Sequence, residues 1–352
     1  MFRSLLRWIF LLIPVLLLTQ ASGAEELKRF DYTAQKMGIP LSFALYAPSE
    51  KAASDAVDLV LVKFDEINQK MSDYTPESEV IQACRTSEQT GNFVPISSDL
   101  YQVLEKARQF NTRTEGAFDV AVSPLVKLWR RSRSFHQLPP KAYLDEAKKL
   151  TGNSNWELDP QKGVRLLKKG VRFDLGGIAK GYVLDQALLV FQKTGITSVL
   201  INAGGDMRIG NPPPGEKGWK VGFASLEKDA APVLFLDLAQ CGVATSGDTF
   251  RYVEINGIRY SHLIDPRTGE PMRIHRIVSV IAPNAIDADA LASAFSILPP
   301  EKRIEISRQF PSVDLLIFEQ KTQSKEKNLS ENDFSIFSTD KFRPYLPKIK
   351  KE

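Results

Sequence analysis

Cysteine and histidine are both scarce: the 352 residues hold two cysteines, Cys84 and Cys241, and three histidines, His136, His262 and His275. Two cysteines cannot build a disulfide scaffold, and free, partly buried thiols in an ordinary enzyme are the expectation. A strong basic field is missing too. The formal charge is +4, and two of those charges belong to Arg3 and Arg7 in a leader without acids, so no nucleic-acid partner is expected. The chain shows no tandem repeat, no Walker A loop and no GxGxxG fingerprint after an early strand. That last absence counts against an oxidoreductase built on a dinucleotide fold. With 43% hydrophobic and 25% charged residues, the chain can bury one large core or two medium ones, and neither disorder nor a membrane bundle is indicated.

Met1 to Ala24 has the layout of a secretory signal: Arg3 and Arg7, the apolar stretch Trp8 to Leu18, then the small residues Ala21-Ser22-Gly23-Ala24. Cleavage is expected after Ala24. An uncleaved anchor is the alternative, but Trp8 to Leu18 is short for a span and Pro14 interrupts it. No cysteine lies near the cleavage site, which excludes lipid attachment there. These features divide the chain into a leader (1–24), a body (25–318) and a polar C-terminal extension (319–352). In that extension only scattered apolar residues such as Phe334, Ile336, Phe337 and Phe342 can dock back, and part of it is expected to be mobile.

Within the body, Ala53, Ala56, Val57, Val60, Leu61, Phe64, Ile67 and Met71 recur at steps of three and four, the stripe of one buried helix face. A second helix is predicted from Ser97 or Ser98 through Phe110, stopping near Gly116, and a third from Pro139-Pro140. From residue 171 onward the pattern turns to short strands at Val171–Asp174, Ser198–Asn202, Trp219–Ala224, Val233–Leu238, Ile277–Ala282 and Val313–Phe318, with helices at about 177–194 and 287–298. The fold class this predicts is α+β, with mixed sheets and packed helices.

Three segments could carry chemistry. Phe173-Asp174-Leu175-Gly176-Gly177-Ile178-Ala179-Lys180-Gly181-Tyr182 opens a helix, so its free N–H groups and Lys180 could meet an anion, or its glycines could serve tight packing; both readings stand. Ile201-Asn202-Ala203-Gly204-Gly205-Asp206 lets backbone approach a ligand or simply turn, and by itself favours the turn. In Asp287-Ala288-Asp289-Ala290-Leu291-Ala292-Ser293, Asp289 and Ser293 share a helix face and offer a carboxylate and a hydroxyl to a hard cation. Ordinary capping at a helix start explains such acids equally well, and more often. Of the histidines, His262 sits where a strand meets the Asp265-Pro266-Arg267-Thr268-Gly269 turn and is the plausible general base. His136 and His275 lie among basic residues and suggest solvent-facing roles.

Taken together the segments resemble the FAD:protein FMN transferases, the ApbE-like flavin transferases. The likeness runs from about Asp65 to Ile317 in seven blocks in family order: MSDYTPESEV (71–80), GAFDVAVSPLVKLW (116–129), FDLGGIAKGYVLD (173–185), INAGGD (201–206), ATSGD (244–248), YSHLIDPRTG (260–269) and DADALASAF (287–295). The resemblance implies that Met71, Ser72, Tyr74, Asp119, Lys180, Gly204, Gly205, Asp206, Ser246, Gly247 and Asp265 hold FAD. It implies that Asp289, Ser293 and a backbone oxygen of Gly177 bind Mg2+, and that His262 is the catalytic base. The family usually has threonine at the positions of Ser293 and Ala121, and a lipid-bearing cysteine after the leader. The serine keeps the hydroxyl without the methyl that restricts its rotamers.

The implied reaction moves the FMN half of FAD to a Thr/Ser hydroxyl and releases AMP. Acceptors would be periplasmic or membrane-attached flavoproteins, reached by secretion across the inner membrane. With water in place of the hydroxyl, the same residues would make an FAD pyrophosphatase. A non-catalytic extracytoplasmic flavin-binding protein is the remaining reading, and His262 with the Asp289/Ser293 pair counts against it.

Overall fold

The computed structural model describes residues 26–223, 232, 234–248, 251–321 and 334–345; the leader, Ala224, Val233 and Leu346 lie outside them. The main sheet has eight strands in the order β1 (Lys28–Lys36), β2 (Ile39–Ala47), β5 (Val199–Ala203), β6 (Asp206–Ile209), β9 (Cys241–Gly247), β12 (Arg276–Ala282), β13 (Asp314–Gln320) and β14 (Phe334–Ser338). Every neighbour pair in it is antiparallel. Three hairpins stand apart: β3 (Trp156–Asp159) with β4 (Gly163–Leu166), β7 (Trp219–Phe223) with β8 (Leu234–Leu238), and β10 (Tyr252–Ile255) with β11 (Ile258–Ser261).

The predicted helices are present. In α1 (Glu50–Met71) the stripe Ala53, Ala56, Val57, Val60, Phe64, Ile67 and Met71 is buried, and the Ser49 hydroxyl caps the helix by accepting the Ala52 N–H. Ser97 caps α3 (Ser98–Arg113) in the same way, and α5 (Lys141–Lys148) begins after Pro140. Three helices left no such mark on the sequence, one of them α8 (Pro300–Ser307). The buried side of α2 (Glu79–Thr90) is only Val80, Ala83, Cys84 and Ser87, and α4 (Ser123–Phe135) starts at Ser123-Pro124.

One predicted strand is absent. Val171–Asp174 is extended but pairs with no strand; the Asp174 N–H donates to the Val120 carbonyl at 2.8 Å. Val171, Phe173 and Leu175 are buried, so the period of two comes from extended chain crossing the core without a ladder. At the other end, Phe334–Ser338 adds β14 to the sheet. Phe342 is buried against Phe223, ring centres 5.1 Å apart. Glu319 is buried between Arg276 and Arg303. Both cysteines are free and buried, Cys84 in the main core and Cys241 in a second cluster with Trp219, Phe223 and Phe342. Burial pushes the Cys84 thiol up to about 11.

The centre of the fold is α7 (Ala285–Ile297), buried nearly all round and packed on α6 (Ala179–Lys193), β9 and β12. Its start is pinned by three hydrogen bonds from two side chains. The Asn284 side chain accepts the Asp287 N–H, and the Asp185 carboxylate of α6 accepts the Ala285 and Ile286 N–H groups, all at 2.9 Å. Two glycines make the close approach possible: a Cβ on Gly181 would stand 2.3 Å from the Ala285 carbonyl oxygen, and one on Gly242 would stand 2.4 Å from the Ala285 nitrogen. Gly181→Ala should therefore separate α6 from α7 and cost about 1–3 kcal/mol, the range for overpacking, read as a lower Tm. An unchanged Tm would mean that the helices part there freely.

Candidate active site

The clamp on α7 brings Asp289 and Ser293 to the start of α6. Lys180, in the first turn of α6, pairs with Asp206, and its Nζ is 3.7 Å from Asp289 Oδ1. Asp289 Oδ2 accepts the Gly181 N–H at 3.0 Å, and Asp206 Oδ1 accepts the Thr245 N–H at 3.1 Å. Asp206 is placed by the two-residue turn joining β5 and β6, where Gly204 (φ 62°) and Gly205 (φ 102°) both need the left-handed region. Both carboxylates are buried. Burial raises the Asp289 proton affinity against the pull of Lys180, and Asp206 raises it further. Burial opposes the Lys180 charge as well, but Asp289 and Asp206 outweigh it and hold the ammonium on.

Two carboxylates against one ammonium leave a surplus negative charge, and one helical turn on from Asp289, Ser293 meets Gly177. A Cβ on Gly177 would stand 2.8 Å from Ser293 Oγ. Among the described residues no three His, Cys, Asp or Glu side chains gather to hold a metal. The candidate donors here are instead the Asp289 carboxylate and the Ser293 hydroxyl, which lies against Gly177 of the glycine loop. Such an all-oxygen set suits a hard cation completed by water and phosphate oxygens.

His262 follows β11. Its N–H and its Nδ1 both meet the Arg251 carbonyl, at 2.9 and 3.1 Å. A carbonyl only accepts, so in the neutral ring Nδ1 carries the proton and Nε2 the lone pair. Burial, then the Arg251 guanidinium, pushes the imidazole down to about 4, with Arg133 adding to the shift. Arg251 also opposes the charge of Lys180, so its field reaches both His262 and the carboxylate cluster. Among the described residues neither Arg251 nor Arg133 has a carboxylate partner.

Tyr74 lies on the loop after α1 with 76% of its surface exposed. The guanidinium of Arg130, from α4, stands 4.7 Å from the ring centre. Ser72 shapes this loop: its hydroxyl accepts the Tyr74 N–H at 3.2 Å and the Thr75 N–H at 3.3 Å. Met71 is core. Burial, Arg130 and Arg251 lower the proton affinity of Arg133, while Tyr74 raises it. The charges of Arg130, Arg133 and Arg251 therefore feel one another, although Arg130 is itself paired with Asp73 and Asp174.

Other residues expected at the site have local work. Both oxygens of the buried Asp119 accept backbone N–H groups, from Ala121 at 2.8 Å and Gly152 at 2.6 Å, and burial pushes the carboxyl up to about 6. Asp265 folds its turn by accepting from the Arg267 backbone and guanidinium at 2.8–2.9 Å. Ser246 and Gly247 pair with Val278 and Ile277 in β12, and a Cβ on Gly247 would stand 2.9 Å from the Arg276 carbonyl oxygen. His136 is exposed at the end of α4, as expected. His275 is not solvent-facing: its Nδ1 meets the buried Asp248 at 2.5 Å, because Asp248 gathers His275 and Arg259 at the end of β9.

Sequence reasoning missed Arg130, Arg133 and Arg251. The first two follow the block that ends at Trp129, and a helix drawn through Pro124 would have set them three residues apart on a shared side. Two surface grooves, of about 510 and 530 Å3, lie elsewhere, one between α3 and α6 and one beside Arg108 and Asn153; neither contains Lys180, Asp289 or His262.

The model of the ApbE family matches residues 37–317. The chain is 29% identical over 337 residues to the FAD:protein FMN transferase of Haemophilus influenzae, covering 89% of this chain and 95% of that relative. It is 28% identical over 267 residues to the FAD:protein FMN transferase of Escherichia coli K12, covering 74% and 75%. The crystal structure of the ApbE protein from Thermotoga maritima superposes with a TM-score of 0.75 at 28% identity, over 90% of this chain and 99% of that one. The flavin transferase ApbE from Vibrio cholerae shares the fold, with a TM-score of 0.78 at 22% identity over 91% and 100%. Matched by that model over most of its length, the chain belongs to the ApbE family.

Proposed function

We propose that the chain transfers the FMN half of FAD to a Thr/Ser hydroxyl of a target flavoprotein, with Mg2+ held by Asp289, Ser293 and the Gly177 carbonyl. FMN transfer from FAD to a protein is the activity in the name of the relatives. The observation that carries the catalytic reading is His262, a neutral imidazole whose Nε2 is left free because Nδ1 is spent on the Arg251 carbonyl. A protein that only stored flavin would have no use for it.

The acceptor hydroxyl attacks the phosphorus on the riboflavin side of the pyrophosphate. The bond to the bridging oxygen breaks and AMP leaves with that oxygen, while His262 Nε2 takes the hydroxyl proton. A bound cation would supply charge neutralisation on the phosphate oxygens. The chain's own part is placement: Lys180 and Arg251 face the phosphates with fixed positive charge, and Asp206 and Asp289 hold Lys180 in one position. If the reading holds, AMP appears in step with modified acceptor, one for one. AMP formed at the same rate without acceptor would make the protein a pyrophosphatase.

Tyr74 offers an exposed aromatic face backed by Arg130, a platform for the flavin ring. Because the side chain is mostly in solvent, Tyr74→Ala should weaken FAD binding by about 0.5–1.5 kcal/mol, the worth of an aromatic pair, without lowering Tm. A fall in Tm with unchanged FAD affinity would return Tyr74 to a purely structural role. The signal-like composition of Met1 to Ala24 supports secretion across the inner membrane, which would place the acceptor among periplasmic or membrane-attached flavoproteins.

A further inference from the structure

Arg130 ties together two loops that the proposed reaction uses separately. Its Nη1 donates to Asp73 Oδ2 at 2.8 Å and its Nη2 to Asp174 Oδ2 at 3.2 Å, while its flat face lies 4.7 Å from the Tyr74 ring centre. Asp73 and Tyr74 belong to the loop after α1. Asp174 opens the glycine loop, and its other oxygen, Oδ1, accepts the Gly176 N–H at 2.9 Å, one residue before Gly177. The two carboxylates are 11% and 12% exposed, so neither is well served by water. Burial and the nearby Asp73 charge raise the proton affinity of Asp174, and Gly176 and Arg130 offset them only in part. Only arginine can do this, because a planar fork reaches two carboxylates while its face still stacks on a ring.

We propose that Arg130 is a positioning residue that links the Tyr74 platform to the Gly177 loop, so that a flavin ring on Tyr74 and a divalent cation at Gly177, Asp289 and Ser293 strengthen each other's binding. A ring seated on Tyr74 presses it against the guanidinium and holds the fork in plane. The fork fixes Asp174, Asp174 fixes the Gly176 N–H, and the next residue is Gly177, whose Cα lies against Ser293. The effect is reciprocal, as any linkage between two bound ligands must be. The proposal rests on the functional reading above for the identity of the two ligands.

Riboflavin separates this linkage from direct contact, since it has the ring and no phosphate to touch a cation. Mn2+ binding to the wild-type protein, followed by electron paramagnetic resonance, should tighten about 5-fold or more at saturating riboflavin, the lower end of typical linkage. Arg130→Met should abolish that gain. Arg130→Lys keeps the charge and loses the fork, and it should abolish most of the gain at some cost in Tm while still folding; it decides the matter if the methionine variant does not fold. Unchanged Mn2+ affinity in the wild type, failure of riboflavin to bind, or full linkage in Arg130→Lys would overturn the proposal. FMN transfer from FAD, assayed on the same wild-type sample, keeps the two readings apart. Linkage without transfer would sink the functional reading and support the role of Arg130, and transfer without linkage would do the reverse.

Discussion

His262→Ala should still bind FAD but transfer FMN about 10²–10⁴-fold more slowly, the usual worth of general-base catalysis. The imidazole contacts no member of the Lys180, Asp206 and Asp289 cluster; its ring bond is to the Arg251 carbonyl. Removing it therefore leaves the phosphate and cation groups in place. The pH profile sharpens the test. Burial and Arg251 push His262 down to about 4, so the base stays unprotonated, and active, as pH falls through the range where an ordinary histidine, near 6.5, would gain a proton. At saturating Mg2+ the acid limb of transfer should lie near 4 and disappear in the variant. A limb near 6.5, or a variant that transfers at the wild-type rate with FAD saturating, would remove His262 from the reaction.

Asp289→Asn should be as damaging through a different route. The substitution keeps the size of the side chain but replaces a charged oxygen with a neutral one, at the residue that both faces Lys180 and shares a helix face with Ser293. A cation on a transferring phosphoryl group is worth several kcal/mol, and about 1.4 kcal/mol is tenfold in rate, so a loss of roughly 10²–10³-fold follows. Excess Mg2+ should recover part of it. The Tm should fall little, because the amide oxygen can still accept the Gly181 N–H. Wild-type turnover under limiting Mg2+ would show that the cation is held elsewhere or not needed.

The elements legible in the sequence are those whose burial is one-sided. The α1 stripe and the capped start at Ser97 follow from period and capping chemistry. In α7, buried on every side, no period could appear; there the acids and small residues were the only guide. The first hairpin, β1 and β2, was not read at all: β1 is largely exposed, and Pro40 and Tyr46 blur the alternation in β2. Val171–Asp174 shows the opposite failure, a strand period without a strand.

At the site the same limit holds. Asp119 and Asp265 have the residue type and surroundings of ligand-binding acids, and in the structure their oxygens also accept backbone N–H groups, Asp119 from Ala121 and the distant Gly152, Asp265 from Arg267. Sequence cannot tell a carboxylate aimed at a ligand from one aimed at its own backbone. Arg130 was invisible for the converse reason, since its two partners lie 57 and 44 residues away along the chain and no local pattern joins them.

The central claim is the fate of FMN, and intact mass of the acceptor measures it. A flavoprotein with an exposed Thr/Ser, incubated with this protein, FAD and Mg2+, should gain the mass of one FMN less one water, with fragmentation placing it on a single hydroxyl side chain, and the gain should vanish with His262→Ala. FAD split to free FMN and AMP while every candidate acceptor keeps its original mass would contradict the account.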